Sequence, residues 1–332
     1  MSTRFANNTA GCAAACLLLG ASAAGLAQGP DAAKGYPSRP VRIVVPFTPG
    51  GQPDIVARLM AQRLTDSLGQ QVIVDNRPGA GGMIGSRIVA SANADGHTLL
   101  SISAAHVATP AVRANLGYNT IKDFAGVTLV YNAAYYLVVP MSLEVRTVKD
   151  LIALAKAKPG QLNFTSAGTG SATHFGGEMF KSGAGIDVVH VPHRGIPEAL
   201  TDVMTGRVHF FMAPFGSTVG LIRDGKLRAI AVSSTQRTRM NPEIPTIAES
   251  GLPGFRYDSW GALFAPAKTP RAIIDKLNRA VAAALKHPEV VQRLHAIGIE
   301  PVPSTPAQLD KFVGEQLKVA ADLARRAGLK PE

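Results

Sequence analysis

Residues 41–60 read VRIVVPFTPGGQPDIVARLM, and they contain the repeating unit of the chain in its clearest form. Val41–Val45 is a short apolar run of mostly β-branched residues, which is typical of a buried strand. A loop rich in Gly and Pro follows at residues 46–53. Asp54 then opens a segment in which apolar residues recur at helical spacing. This strand–loop–helix order predicts an α/β unit built on a parallel sheet.

The same order recurs along the rest of the chain. Further short apolar runs predict strands at residues 71–74, 98–103, 162–165, 187–191, 208–212 and 227–232. Segments of helical period predict helices at residues 83–92, 148–157, 172–181, 197–205, 271–286, 288–297 and 307–327. Thr147 and Asp150 have the spacing of a capping box, which fixes the start of the helix at residue 148.

This alternation falls into two sets, which predicts two domains. The pattern restarts after the apolar run Tyr136–Pro140, and the last three helices have no sheet of their own. If these helices return to the first domain, the chain crosses between the domains twice. We therefore predict an α/β fold with two mainly parallel domains, formed by residues 36–136 plus 257–332 and by residues 137–256. A cleft between two such domains is a common place for a small ligand.

Composition and charge limit the classes of function. The chain has 332 residues, 46% of them apolar and 17% charged, so it can form a sizeable core. Only one segment, at the N-terminus, is apolar enough to enter a membrane, which excludes a polytopic membrane protein. The formal net charge of +11 favours anionic partners. Nucleic acid is not expected among them, because no run of five basic residues occurs and only 6% of the residues are aromatic.

Residues 1–27 have the features of a cleaved secretory signal peptide. Arg4 precedes an apolar run of small residues, and the sequence GLA at residues 25–27 ends it as a cleavage site requires. A single membrane anchor is the alternative, but the run is short and weakly apolar for spanning. Both cysteines, Cys12 and Cys16, lie in this segment, so the exported chain would have no disulfide and no thiolate metal site. We predict a periplasmic protein.

Three Gly-rich loops each follow a predicted strand and precede a predicted helix. They read PGG at residues 49–51, GAGGMIG at residues 79–85 and SAGTGS at residues 166–171. Unpaired backbone N–H groups and the helix dipole favour an anion at such a position, although a tight turn can need glycine for its shape alone. No dinucleotide-binding fingerprint and no Walker A sequence occur. A carboxylate is therefore favoured over a phosphate, and no cofactor is predicted.

Patterns for catalysis or metal binding are weak. Ser171 and His174 would allow a nucleophile and a base, but a packing or capping role is favoured for His174. His190 and His193 form an H-x-x-H sequence on a predicted strand, and no metal site is expected because no acidic ligand is obvious nearby. Asp54 fits a binding role and a role as first-turn acid of its helix equally well. Four aromatic residues are candidates for an apolar cleft wall or for the core: Phe47, Tyr135, Tyr136 and Phe215.

Five stretches, taken in order, resemble one known family. They read YPSRPVRIVVPFTPGGQPDIVAR, VDNRPGAGGMIGS, NFTSAGTGSATHFGGEMF, VPHRGIPEALTDVMTGRVHFF and IPTIAESGLPGFRYDSWGALFAPAKTP. From about residue 36 to residue 312, the chain resembles the substrate-binding receptors of tripartite tricarboxylate transporters, the Bug receptor family. The resemblance implies a two-lobed periplasmic binding protein of the Venus flytrap type. Such a protein is not an enzyme and closes on a small carboxylate.

The resemblance also implies which residues bind the ligand. In such receptors the loop after the first strand and the loop at residues 166–171 hold carboxylates through backbone amides, hydroxyls and bridging waters. The residues of this chain at the matching positions are Phe47, Pro49, Gly50, Gly51, Asp54, Ser166, Gly168, Gly170, Ser171 and His174. No catalytic residue and no metal ligand are implied.

Some positions depart from the family pattern and bear on the ligand. Gln52 and Pro53 stand where small hydroxyl residues are usual, and His193 replaces a common tyrosine. His209 and Ala213 stand where acidic residues are frequent. Because an acid can pair with the amino group of an amino-acid ligand, a dicarboxylate or an aromatic acid is favoured. We expect a monomer that delivers its ligand to transporter membrane subunits; a receptor for a sensor kinase and a secreted Ser/His hydrolase are the alternatives.

Overall fold

The computed structural model describes residues 33–326, 328–329 and 331. The predicted signal peptide and both cysteines lie outside these residues. Within the described part of the chain, no helix combines the length and the apolar character needed to cross a membrane.

Strands and helices alternate along the described residues. The strands are β1 (Val41–Val45), β2 (Val72–Asn76), β3 (Thr98–Ser103), β4 (Phe124–Pro140), β5 (Asn163–Ser166), β6 (Val189–Pro192), β7 (Phe210–Pro214), β8 (Leu227–Val232), β9 (Asp258–Pro266) and β10 (Ile299–Pro301). The helices are α1 (Gln52–Leu68), α2 (Met83–Ala90), α3 (Ala105–Val112), α4 (Val148–Ala157), α5 (Ala172–Ala184), α6 (Ile196–Met204), α7 (Phe215–Arg223), α8 (Arg271–Lys286), α9 (Pro288–Ala296) and α10 (Pro306–Arg326).

The first lobe is built on the strand order β2-β1-β3-β9-β4. Strands β1, β2 and β3 are parallel, with Val41 opposite Val72 and Arg42 opposite Thr98. Strand β9 runs antiparallel to β3 and to the first part of β4, and β10 adds an antiparallel edge to β4. Because the three parallel strands end at one edge of the sheet, the loops that follow β1 and β3 lie side by side there.

The second lobe repeats this plan. Strands β5, β6 and β7 are parallel, and the last part of β4 pairs antiparallel with β7 and β8. Strand β4 therefore belongs to both sheets: it pairs with β9 up to Ala134 and with β7 from Tyr135 onward. The chain returns to the first lobe between Tyr257 and Asp258. Tyr257 N–H still donates to Ser233 O, which follows β8, whereas Asp258 already pairs with Ala134 in the first part of β4. Two strand crossings thus connect the lobes.

Apolar side chains cover both faces of the first-lobe sheet. One face packs on α1 and α8 through residues such as Met60, Leu64, Leu277 and Val281. The other face is continuous with the core of the second lobe, where Phe164, Phe180 and Phe210 are fully buried. The two-lobed α/β fold predicted from the sequence is confirmed.

The C-terminal part differs from the prediction of helices alone. Strands β9 and β10 both lie in it, and both add to the first-lobe sheet. In β9 every residue after Asp258 is buried. Burial on both faces removes the alternation of apolar and polar residues that marks a half-exposed strand, so this strand gives no period-two signal.

Candidate functional site

A small cavity lies between the lobes, at the ends of β1, β3, β5 and β7. Its volume is about 30 Å³, which is room for about two water molecules. Its wall is formed by residues of both lobes: Phe47, Gly51, Gln52, Pro53, Ser103, Tyr135, Ala167, Ser171, Ala172, Thr173, Ile196 and Pro214. None of these side chains carries a charge.

The first-lobe wall is the loop after β1 together with the first turn of α1. Gly51 is the N-cap residue of α1 and provides no side-chain cap. Phe47 is buried, and its carbonyl accepts a hydrogen bond from Asn76 Nδ2 at 3.0 Å. Gly51, Gln52 and Pro53 therefore bring the start of the helix to the cavity.

Asp54 holds this loop in shape. Its side chain is only 4% exposed. Oδ2 accepts hydrogen bonds from Gly50 N–H at 2.9 Å and from Arg58 Nε at 3.1 Å, and Oδ1 accepts one from Asn76 Nδ2 at 3.0 Å. The carboxylate is thus engaged within the first lobe, and Asp54 is not part of the cavity wall. Pro49 and Gly50 are exposed at the rim of the cleft.

The second-lobe wall is the first turn of α5. Ser171 is its N-cap residue: Ser171 Oγ accepts a hydrogen bond from His174 N–H at 3.2 Å and lies 3.1 Å from Thr173 Oγ1. Thr173 Oγ1 also accepts a hydrogen bond from Ala167 N–H at 2.9 Å. Among the described residues, the backbone N–H groups of Ala172 and Thr173 have no hydrogen-bond partner, as expected for the first turn of a helix.

The other predicted residues of this loop lie behind the wall. Ser166 Oγ is 2.7 Å from His190 Nε2 and accepts a hydrogen bond from Gly168 N–H at 3.1 Å. Gly170 N–H donates to His174 Nδ1 at 3.2 Å. These hydrogen bonds shape the loop that presents Ser171.

His174 does not form a catalytic pair with Ser171. Its ring stacks on that of His190 with centroids 4.1 Å apart, and its Nε2 lies 3.7 Å from Glu178 Oε1. Burial, together with the nearby positive charges of Lys181 and Arg113, lowers the pKa of His174 to about 4. The ring is therefore neutral at pH 7, and Ser171 Oγ contacts the His174 backbone rather than the imidazole.

His190 and His193, the other histidines of this region, also lie against polar side chains of their own lobe. Burial lowers the pKa of His190 to about 3, and His193 Nε2 lies 3.3 Å from Asp202 Oδ2. Within the described ranges, no group of three or more His, Cys, Asp or Glu side chains is arranged to hold a metal ion.

Hydrogen bonds between the lobes close the cleft at its rim. Thr48 Oγ1 donates to Glu198 Oε2 at 3.3 Å, and Ser217 Oγ donates to Gly50 O at 3.1 Å. On another side, Thr109 Oγ1 of the first lobe lies 3.1 Å from Gly170 O. The lobes are therefore in contact around the cavity, which accounts for its small volume.

Eight residues of the wall were not among the predicted ligand residues or aromatic candidates: Gln52, Pro53, Ser103, Ala167, Ala172, Thr173, Ile196 and Pro214. Ser103 ends the parallel strand next to β1, and Ile196 and Pro214 lie at the starts of α6 and α7. The rule that ligands bind at the carboxyl ends of parallel strands would have found them. Of the four aromatic candidates, Phe47 and Tyr135 line the cavity, whereas Tyr136 and Phe215 stack on each other with centroids 4.4 Å apart.

Two lobes joined by two strand crossings, with helix N-termini at a shared cavity, define a solute-binding receptor. Comparison with known proteins supports this class. The sequence model of the tripartite tricarboxylate transporter family receptor matches residues 56–329. The chain therefore belongs to this receptor family, whose members bind solutes and are not enzymes.

Relatives and solved structures of this family match this chain over most of their own length. BugT of Bordetella pertussis is 38% identical over 309 residues, which cover 92% of this chain and 94% of BugT. Rpa4515 of R. palustris, solved with adipate, has a TM-score of 0.87 and 35% identity, with 90% of this chain and all of that chain covered. MatC from Rhodopseudomonas palustris, solved with malate, has a TM-score of 0.83 and 33% identity over 87% of this chain and 99% of its own.

Proposed function

We propose that this protein is an exported periplasmic receptor that captures a small organic carboxylate between its lobes and delivers it to the membrane subunits of a tripartite tricarboxylate-type transporter. One observation carries the proposal: the first turns of α1 and α5 come from opposite lobes and form walls of the same cavity. The dipole of each helix places about half a positive charge at its N-terminus, and at α5 the N–H groups of Ala172 and Thr173 have no partner among the described residues. Two such N-termini provide an anion site without any cationic side chain.

The chemistry of the wall favours acids over amino acids. None of the twelve lining residues is acidic, so an ammonium group would have no carboxylate to pair with. Rpa4515 and MatC, which were solved with adipate and malate, are dicarboxylate-bound relatives. Phe47, Tyr135 and Ile196 add apolar surface for the body of the ligand. A dicarboxylate or an aromatic acid is the ligand class that suits this wall.

Ligand capture would work by a shift from open to closed lobes. An anion at the cavity contacts the α1 start in the first lobe and the α5 start in the second lobe at once. Such contacts exist only in the closed form, so the ligand stabilises that form relative to the open one. The transporter subunits would then recognise the closed surface.

A binding screen tests the proposal. The purified protein is titrated by calorimetry with adipate, malate, succinate and benzoate, and with aspartate and glutamate as amino-acid controls. A ligand at 100 times its Kd stabilises the folded state by about 2.7 kcal/mol, which a thermal shift also detects. Binding of at least one acid, with weaker binding of the amino acids, is expected. Failure of every acid, or a preference for the amino acids, would overturn the proposal.

Delivery needs a separate experiment. Uptake of the bound acid is measured in cells that contain the transporter membrane subunits, with and without the receptor. Uptake that depends on the receptor supports delivery. A receptor that binds the acid but leaves uptake unchanged would refute this part of the proposal and would favour the sensor-kinase alternative.

A further inference from the structure

The side chain of Gln52 is a buried amide at the cavity wall. Gln52 is the first residue of α1 and is 2% exposed. Its Oε1 accepts a hydrogen bond from Ser259 Oγ at 3.1 Å. Its Nε2 is buried and has no hydrogen-bond partner among the described residues. A buried N–H donor without an acceptor is unfavourable, and each such group in a folded protein needs an explanation.

Ser259 holds the other end of the amide. Ser259 lies on the crossing strand β9, opposite Ala133 of β4, and is fully buried. Its hydroxyl donates to Oε1, Nε2 is the end of the amide without a partner, and Gln52 lines the cavity. The carboxamide is therefore held from the connection between the lobes rather than from a mobile loop.

The neighbouring polar side chains are engaged differently. Ser171 Oγ and Thr173 Oγ1 both accept hydrogen bonds from backbone N–H groups of their own loop and lie 3.1 Å apart. Most of the remaining wall is apolar, with Phe47 and Ile196 as its large members. Gln52 thus contributes a side-chain N–H group to a surface on which an acceptor has few other side-chain donors.

We propose that Gln52 determines the ligand specificity of this receptor, by donating from Nε2 to a carboxylate oxygen of the bound acid. This inference rests on the proposed function as a carboxylate receptor. The amide is neutral, so it can be buried in the closed form at a smaller cost than a cation. A donor at this position also disfavours ligands that bring an amino group to it, because two donors then face each other.

The test compares the same substitution at two glutamines of α1. Gln52→Met keeps the size of the side chain and removes the donor, whereas Gln62→Met changes an exposed residue of the same helix. Affinity is measured by calorimetry for adipate, malate, succinate, benzoate, aspartate and glutamate, and stability by urea unfolding without ligand. Gln52→Met is expected to weaken the tightest-bound acid about tenfold and to bind aspartate and glutamate no more weakly than the original protein does; its urea midpoint is expected to fall, because Ser259 Oγ loses its acceptor. Gln62→Met should leave the affinity unchanged.

Gln52→Glu sharpens the test, since a carboxylate would then face the carboxylate of the ligand. A loss of at least a hundredfold in affinity is expected. If Gln52→Met binds the acid as tightly as the original protein, the inference is wrong while the proposed function stands. If Gln52→Met weakens the binding of aspartate and glutamate by the same factor as that of the acids, Gln52 is a structural residue and the inference is also wrong. If the unmodified protein binds none of the acids, the proposed function fails and this inference fails with it.

Discussion

Replacing Gly195 with alanine should weaken ligand binding without changing the cavity wall. Gly195 precedes α6 in the second lobe and has extended backbone angles, φ −172° and ψ −174°, which any residue adopts. A Cβ added there would lie 1.7 Å from Thr48 Oγ1 and 2.9 Å from Thr48 Cβ. Thr48 belongs to the first lobe, so the clash exists only when the lobes are closed. The substitution therefore acts on the closed form alone.

The size of the effect depends on how the Thr48 side chain can avoid the added Cβ atom. Rotation of its side chain relieves the contact with Oγ1 but breaks the hydrogen bond from Thr48 to Glu198, at a cost of about 1 kcal/mol. The contact between the two Cβ atoms remains shorter than folded proteins tolerate, so the loop or the lobe angle must also shift. Overpacking of this kind costs about 1–3 kcal/mol. A closed form less stable by about 2–4 kcal/mol raises the Kd about 30-fold to 1000-fold.

Calorimetry with the tightest-bound acid measures this Kd for Gly195→Ala, for Thr48→Gly and for the double variant. Thr48→Gly removes the side chain that clashes, so the double variant should bind nearly as tightly as Thr48→Gly alone. This rescue separates loss of closure from a general defect of folding. Equal affinities for Gly195→Ala and the unmodified protein would refute the reasoning. So would a double variant that binds as weakly as Gly195→Ala.

Three further outcomes are expected. Asp54→Asn should destabilise the protein by about 1–3 kcal/mol in urea unfolding and weaken acid binding, because Gly50 N–H and Arg58 lose a charged acceptor; unchanged stability would contradict this role. Ser171→Ala should cost about 1 kcal/mol of unfolding free energy through the lost helix cap. The pKa of His174 falls from 6.5 to about 4 on folding, so the unfolded chain binds more protons between these values. His174 should therefore lower the unfolding free energy by up to about 1.4 kcal/mol per pH unit as the pH falls from 6.5 towards 4, and His190, whose pKa burial lowers to about 3, adds a decrease over the same range; a flat urea midpoint would contradict the burial of these neutral rings.

Elements set by local interactions could be predicted from the sequence. Thr147 and Asp150 form both hydrogen bonds of the capping box, and α4 has the predicted limits. Strand β8 also begins and ends where the apolar run indicates. In both cases the signal and the interaction lie within a few residues of each other, so no knowledge of the partner elements is needed.

The crossing strands could not be predicted in the same way. The first part of β4, from Phe124 to Ala134, is mostly buried and pairs with β9, which lies more than 120 residues later in the chain. Neither strand shows a clear alternation, because each is covered on both faces. Their pairing depends on how the whole chain folds back, and a single sequence contains no direct sign of that.

The candidate site shows a similar limit. One Gly-rich loop of each lobe reaches the cavity, whereas the loop at residues 79–85 does not, and only Phe47, Gly51 and Ser171 of the ten predicted residues form its wall. Asp54 and Ser166 are engaged in bonds that shape the loops. A sequence shows which residue types share a loop, whereas the division between shaping and lining depends on where each side chain finds a partner.

The described cavity also constrains how a ligand must be accommodated. Room for about two water molecules is less than a C4 acid fills, so we expect side chains of the wall to move when an acid binds, while the contacts of Thr48 and Ser217 at the rim stay closed. A wall without cationic side chains makes the narrow form accessible, because closing it without a ligand buries no uncompensated charge. The contacts that hold it narrow are hydrogen bonds at the rim, such as Ser217 Oγ to Gly50 O. These bonds can exchange with water at a modest net cost, so the lobes would open and close readily, and the donors at the wall would select a ligand by the chemistry of its ends.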